Sequence, residues 1–184
     1  VVSRAGEAVV DTDEQPGKGK PDKIPTLRPA FAKDGTITAA TSSSISDGAA
    51  AVVLTRASLA AANGQTPVAK VVAMAAHAQE PKDFTVAPVG AIQKVLDRAG
   101  WSVEDVDLWE VNEAFACVAM FAMRDIGIPH DRINVNGGAT ALGHPIGASG
   151  TRIIVTLLNA LKSWGNKRRA ASRSLGGGDA TTIA

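Results

Sequence analysis

The segment from Asn134 to Arg152, NVNGGATALGHPIGASGTR, places glycines at 137, 138, 143, 147 and 150. Glycine at that density marks the stretch Asn134–Gly150, which leads into a helix from about Ala148, as a shaped segment rather than a plain element. It permits positive φ and close approach of the backbone to a ligand. Within it His144 stands between Gly143 and Pro145, which hold it in a tight turn. A lone histidine is commonly a structural or solvated side chain, yet a turn shaped in advance favours a functional imidazole. The loop precedes a helix, which invites a phosphate-binding reading. It fits neither known formula: no Gly-Lys-Ser/Thr stands at the required spacing, and no G-x-G-x-x-G follows a strand.

Hydrophobic spacing alternates on both sides of this loop. Val68–Ala76 reads as a strand, and Val86–Ala99 as a helix with Val89, Ile92, Val95, Leu96 and Ala99 at helical spacing before Gly100. Val106–Val111 is the next strand. Asn112–Ile126 follows as a helix with Phe115, Val118, Ala119 and Ala122 as its stripe, then Ala148–Leu161 as a second long helix and Arg169–Leu175 as a strand. The closing GGGDATTIA reads as a tight turn between two strands. Strands alternating with helices predict an α/β fold, a sheet covered by helices. Upstream, Ala49–Thr55 (AAAVVLT) is expected to be a short buried strand and Ala57–Asn63 a helix stopped by Gly64, with a boundary near Thr66-Pro67. Asp11–Pro29, an acidic cluster followed by lysines among prolines, reads as a solvated surface loop.

Composition removes several function classes. Nineteen Lys and Arg against eighteen Asp and Glu leave a net charge of +1, which argues against a nucleic-acid binder. Three Trp, four Phe and no Tyr are too few for base-stacking platforms. The single cysteine, Cys117, excludes an internal disulfide, and together with three scattered histidines, His77, His130 and His144, it shows no zinc-ligand spacing. No apolar run suits a membrane span and no signal peptide is visible, so a cytoplasmic location, or an organellar matrix in a eukaryote, is expected. The chain opens on Val1 rather than Met, which reads as a processed, trimmed or incomplete chain.

Two further segments carry chemistry. Asn112-Glu113-Ala114-Phe115-Ala116 lies where a strand gives way to a helix, the place where α/β proteins set their site residues. Asn112 reads as a helix cap, as a group aimed into a crevice, or as both, with Glu113 favourable in the first turn. Ser174-Leu175-Gly176-Gly177-Gly178 ends a strand and exposes backbone N–H groups, either as oxyanion donors or as a plain turn. Cys117 falls on or near an apolar stripe, where cysteine behaves as a small hydrophobe.

Taken together, NEAFA at 112–116, NGGATALGHPIGASGTR at 136–152 and GGG at 176–178 resemble the C-terminal half of a thiolase in order and spacing. SSSISDGAAAV at 42–52 and the DTDE loop near the start also look like thiolase segments, and the loop style resembles the acetyl-CoA acetyltransferase type. The resemblance implies two similar α/β halves, each with a mixed five-stranded sheet, and a loop domain inserted in the first. On that plan residues 1–43 are the end of the loop domain, 44–66 the last strand and helix of the first half, and 67–184 the second half. Most of the first half would then lie outside this chain. The implied chemistry is thiolysis of 3-ketoacyl-CoA or the reverse Claisen condensation, with coenzyme A as substrate and no resident cofactor. His144 would polarise a thioester oxygen and help activate the nucleophile, Asn112 would hold a water in the same oxyanion hole, and Gly176 would donate its N–H to a second hole. Ser43, Ala114 and Phe115 would line the pantetheine channel. Homodimers or homotetramers are expected.

Two departures accompany the resemblance. The family's nucleophilic cysteine belongs to the first half, and the acid/base cysteine two residues before the first glycine of the terminal GGG is here Ser174. A hydroxyl is a far weaker acid than a thiol, whose pKa is about 8.5. Arg173 stands where an apolar strand residue is usual. These changes raise a rival, a thiolase-like protein that binds acyl-CoA or lipid without turnover.

Overall fold

The computed structural model describes residues 2–165 and 167–184. The chain opens with a short hairpin of β1 (Val2–Ser3) and β2 (Gly6–Glu7). Next comes α1 (Glu14–Lys18), capped by the Asp13 side chain on the Gln15 amide, and then α2 (Ala57–Ala62). The Asp11–Pro29 stretch is exposed apart from two half-buried residues, as a charged, proline-rich surface segment should be. Beyond α2 follow β3 (Met74–Ala78), α3 (Ala87–Ala99), β4 (Leu108–Val111), α4 (Ala116–Ile126), α5 (Ala139–Leu142), α6 (Ser149–Trp164), β5 (Arg169–Ser174) and β6 (Asp179–Ile183). The last four strands form one mixed sheet in the order β3-β6-β5-β4, antiparallel except for the β4–β5 pair.

Period-two alternation along β4 divides the core. Trp109 and Val111 point to one face, where they pack with Ile92 and Leu96 of α3 and Val118, Ala119 and Ala122 of α4. Leu108 points to the other and meets Ile153, Leu157 and Leu161 of α6. β4 is therefore covered on both faces, which accounts for its almost continuous apolar character. α6 covers only the β4–β5 side of its face. Over β3 and β6 a groove of about 370 Å³ remains, lined by Met74, Ala76, Ile153, Ile154, Arg173 and Thr181 among others.

Side chains finish both sheet edges. On β3 the carbonyls of Ala76 and Met74 accept from Lys94 Nζ (3.3 Å) and Arg98 Nη1 (2.5 Å) of α3. On β4 the Asn134 side chain accepts from the Val111 amide (2.8 Å) and donates to the Val111 carbonyl (2.9 Å). Asn134 also donates its own amide to the Trp109 carbonyl (2.9 Å), and Ile133 makes a parallel bridge to Trp109. The fifth strand of the expected sheet is thus reduced to one bridge and one asparagine side chain.

Several expectations need correction. Ala49–Thr55 is neither strand nor buried: Val53 is 95 % and Leu54 77 % exposed. An apolar run becomes a buried strand only when a ladder partner and a covering layer exist, and none of the described residues supplies them. The strand expected at Val68–Ala76 lies at Met74–Ala78, because its register is set by β6, from Met74 opposite Ile183 to Ala78 opposite Asp179. The helix expected from Asn112 begins at Ala116, with Phe115 as its N-cap and no side-chain cap. α3 and α6 stand where helical spacing put them, and the terminal glycines form the expected turn between β5 and β6.

Candidate active site at the carboxyl end of β4

Asn112 extends β4 rather than capping α4. Its amide donates to the Ser172 carbonyl (2.9 Å), continuing the ladder to β5, so its side chain falls on the same face as Leu108 and Glu110, toward α6. It is 1 % exposed.

His144 arrives from the glycine-rich loop. Gly143, at φ +92°, turns the chain in a conformation that L side chains rarely adopt, and a Cβ there would overlap the Ser46 hydroxyl. The His144 amide donates to the Ser44 carbonyl (2.8 Å) and the residue bridges to Ile45, so the serine-rich segment 42–46 holds this turn. On the ring, Nδ1 lies 2.6 Å from Ser149 Oγ, and the Ser149 hydroxyl donates to the Pro145 carbonyl (3.0 Å). A hydroxyl has a single hydrogen. With the Ser149 hydrogen on the Pro145 carbonyl, Nδ1–H donates to Ser149 in the tautomer that leaves a lone pair on Nε2, facing Asn112 Nδ2 at 3.4 Å. Burial, then the positive charges of Arg173 and Arg152, push the imidazole below its ordinary range, so it is neutral at pH 7. Asn112 Oδ1 is buried with no hydrogen-bond partner among the described residues.

Glu113 secures the loop instead of opening a helix. Its carboxylate accepts from Asn134 Nδ2 (2.9 Å) and from the Thr140 amide (3.1 Å). A Cβ at Gly138 would overlap that carboxyl group, so glycine is required there by close approach.

The other expected site residues fall in two groups. The Ser43 amide (3.2 Å) and hydroxyl (3.0 Å) both donate to the Ala114 carbonyl. Ser42 bridges to Phe115, whose ring meets Phe31 and Phe84 edge-on at 5.5 and 5.9 Å. Ser43, Ala114 and Phe115 thus form one strip beside Asn112. Ser174 is buried near the end of β5 opposite Ala180, and Gly176 is exposed in the turn that follows. No hydrogen bond among the described residues joins Ser174 or Gly176 to Asn112 or His144. The link is Arg173, which lies against Gly150 and acts on His144 through its charge. An open cleft of about 370 Å³ flanks the turn, lined by Ser46, Asp47, Gly48, Pro145, Ile146 and Gly147 among others.

Cys117 is half-buried on α4, and burial pushes its thiol up, away from the thiolate. Among the described residues no cluster of His, Cys, Asp or Glu could hold a metal ion, and no helix is long and apolar enough to cross a membrane. Sequence reasoning missed Ser149, Glu110 and Arg152. A carboxylate inside an apolar strand, two residues before Asn112, was a readable signal for Glu110. Ser149 and Arg152 carried none beyond their place in the helix.

Residues 65–184 match the thiolase C-terminal domain and residues 1–58 the thiolase N-terminal domain. The acetyl-CoA acetyltransferase of Pseudomonas aeruginosa is 45 % identical over 185 residues, spanning 100 % of this chain and 47 % of the relative. The solved Bacillus anthracis acetyl-CoA acetyltransferase superposes with a TM-score of 0.90 at 38 % identity, over 100 % of this chain and 47 % of that one. The Ascaris suum Acat5 thiolase, solved in complex with coenzyme A, gives 0.84 at 40 % identity over 95 % of this chain and 46 % of that one. The chain therefore spans about half the length of the relatives it matches. Domain matches across both ends of the chain, and a shared fold at this level of identity, establish that it belongs to the thiolase family.

Proposed function

We propose that this chain forms the C-terminal part of an acyltransferase that thiolyses 3-ketoacyl-CoA or condenses acyl-CoA in the reverse direction. Residues 1–43 would close a loop domain, 44–66 complete a first half, and 67–184 form the second. The observation that carries the reading is the setting of His144: Nδ1 lies 2.6 Å from Ser149 Oγ and Nε2 faces the buried Asn112 amide at 3.4 Å, where burial and nearby arginines disfavour a proton on the ring. Such a nitrogen takes the proton of a thiol brought to it, leaving a thiolate to attack the thioester carbonyl. The resulting Nε2–H then donates to the oxygen on which charge develops, with the Asn112 amide, directly or through a water, as the second donor; collapse breaks the C–S bond of the thioester, and coenzyme A leaves as the thiol, taking up the proton removed at the start. Gly176 N–H would serve the other oxyanion hole. Coenzyme A enters as a substrate along the strip of Ser43, Ala114 and Phe115, and no resident cofactor is called for. The likeness to acetyl-CoA acetyltransferases and to a thiolase solved with coenzyme A supports this substrate class.

The nucleophile would come from a first thiolase half, and the assembled enzyme would be a homodimer or homotetramer in the cytoplasm or an organellar matrix. The only cysteine of this sequence sits half-buried on α4 with its thiol pushed up, which suits no nucleophile. The 184 residues alone should therefore show no thiolysis of acetoacetyl-CoA. Coenzyme A-dependent turnover above the blank would overturn that assignment. Ser174 favours a second reading, a non-catalytic carrier of acyl-CoA or lipid. The two separate on joining this chain to a family-type first half. The catalytic reading requires acyl-enzyme formation that His144→Ala removes, whereas a carrier binds acyl-CoA without forming it.

A further inference from the structure

A second buried polar layer lies beneath the Asn112–His144–Ser149 chain. Glu110 shares its face of β4 with Asn112, and on α6 Arg152 follows Ser149 by nearly one turn. The two side chains, 2 % and 19 % exposed, face each other across the seam with Arg152 Nη1 3.8 Å from Glu110 Oε2. That is an ion-pair distance, too long for a hydrogen bond. Glu110 Oε1 and Arg152 Nε and Nη1 have no hydrogen-bond partner among the described residues. A buried pair this poorly satisfied is a weak source of stability, since its desolvation penalty rivals its attraction. Its position one layer below the imidazole suggests a different use.

We infer that Glu110 and Arg152 are positioning residues for His144: they hold the first turn of α6 against β4, and the net charge of the pair sets the potential at the imidazole. Charged groups act on this seam from β5, α6 and the β4–α4 connection. Arg173 of β5 and Arg152 of α6 both disfavour a proton on His144, after burial itself. Burial pushes Glu110 up to about 7; Arg152 opposes that shift and Glu113, from the β4–α4 connection, adds to it. When Glu110 is neutral the pair carries the full charge of Arg152, which adds to burial and Arg173 in disfavouring a proton on the imidazole. Ionisation of Glu110 cancels that charge and relaxes the constraint. The pair thereby couples the protonation of a strand residue to the basicity of Nε2, without touching the acyl group.

This inference rests on His144 acting as the base, yet its test needs no turnover. The ring signals of His144 are followed by nitrogen NMR through a pH titration of the 184-residue chain, assigned by the signal lost in His144→Gln. Two inflections are expected, one from the ring and one near neutrality from Glu110. Arg152→Met should move the ring midpoint upward and Arg152→Lys should restore it. Glu110→Gln, which changes almost no volume, should erase the upper inflection alone. A single inflection in the unaltered chain, or a ring midpoint indifferent to Arg152→Met in a folded variant, would overturn the inference. Should Arg152→Met fail to fold, the Glu110→Gln comparison decides alone. Turnover that survives His144→Ala in the joined enzyme would instead remove the catalytic reading and leave these titrations standing.

Discussion

Removing one hydroxyl tests the site at its most constrained atom. Ser149 is fully buried, accepts from His144 Nδ1–H at 2.6 Å and donates to the Pro145 carbonyl at 3.0 Å. In Ser149→Ala the Nδ1–H loses its acceptor, and an unsatisfied buried donor costs about 1–3 kcal/mol. The ring can avoid part of that penalty by moving its hydrogen to Nε2. This tautomer surrenders the lone pair beside Asn112 and with it the capacity to act as a base. The variant should therefore melt lower by roughly 2–4 °C for each kcal/mol lost, and its nitrogen spectrum should show Nε2–H in place of Nδ1–H. Calorimetry and histidine-labelled NMR on the same sample read both effects. An unchanged melting temperature together with a retained Nδ1–H would refute the hydrogen-bond assignment, and with it the argument that Nε2 is the free nitrogen.

Other perturbations reach different parts of the molecule. In the chain joined to a first half, Ser174→Cys should raise condensation by roughly 10²–10⁴-fold, the usual worth of a general acid or base, and adding His144→Ala should abolish most of the gain; equal turnover with Ser174 and with Cys would show that position 174 is not the acid/base site. Gly138→Ala should destabilise by about 1–3 kcal/mol, because its Cβ overlaps the Glu113 carboxyl and the loop must move; a melt like that of the parent would contradict the close approach. Arg173→Leu should raise the His144 titration midpoint, since its charge opposes protonation there. The sign also governs stability. His144 titrates lower in the folded chain, so between its folded and unfolded values the unfolded state binds more protons and its contribution is lost as pH falls through that window. Arg173→Leu should narrow the window, which urea melts at several pH values would detect.

Legibility in the sequence followed the range of the interaction that decides each feature. α3 could be read because its own residues settle it: an apolar stripe of Ile92, Val95 and Leu96, then a glycine at Gly100. Ala49–Thr55 carried an equally apolar pattern and misled, because burial depends on cover that a local pattern cannot report. Asn112 looked like a helix cap because its neighbours permit one, while its actual structure is set by the Ser172 carbonyl in β5, sixty residues away in sequence. His144 and Asn112 were each legible as chemistry. That they share one oxyanion hole was implied by the thiolase resemblance alone; the residues themselves did not report it, since their approach to 3.4 Å is made by the Ser44 contact and the Gly143 turn. Nor was Ser149 legible, whose single hydrogen decides which imidazole nitrogen is free.

The side chains that finish the sheet have a consequence for how copies of this chain can meet. An open strand edge is a template on which a second strand can add, and proteins that leave one bare invite fibrous growth. Here Asn134 occupies both hydrogen-bonding groups of Val111, while Lys94 and Arg98 fill the carbonyls of Ala76 and Met74. An incoming strand would have to displace an amide at one margin and two cations at the other. Self-association is thereby steered away from backbone ladders and onto side-chain surfaces, where shape and charge select the partner.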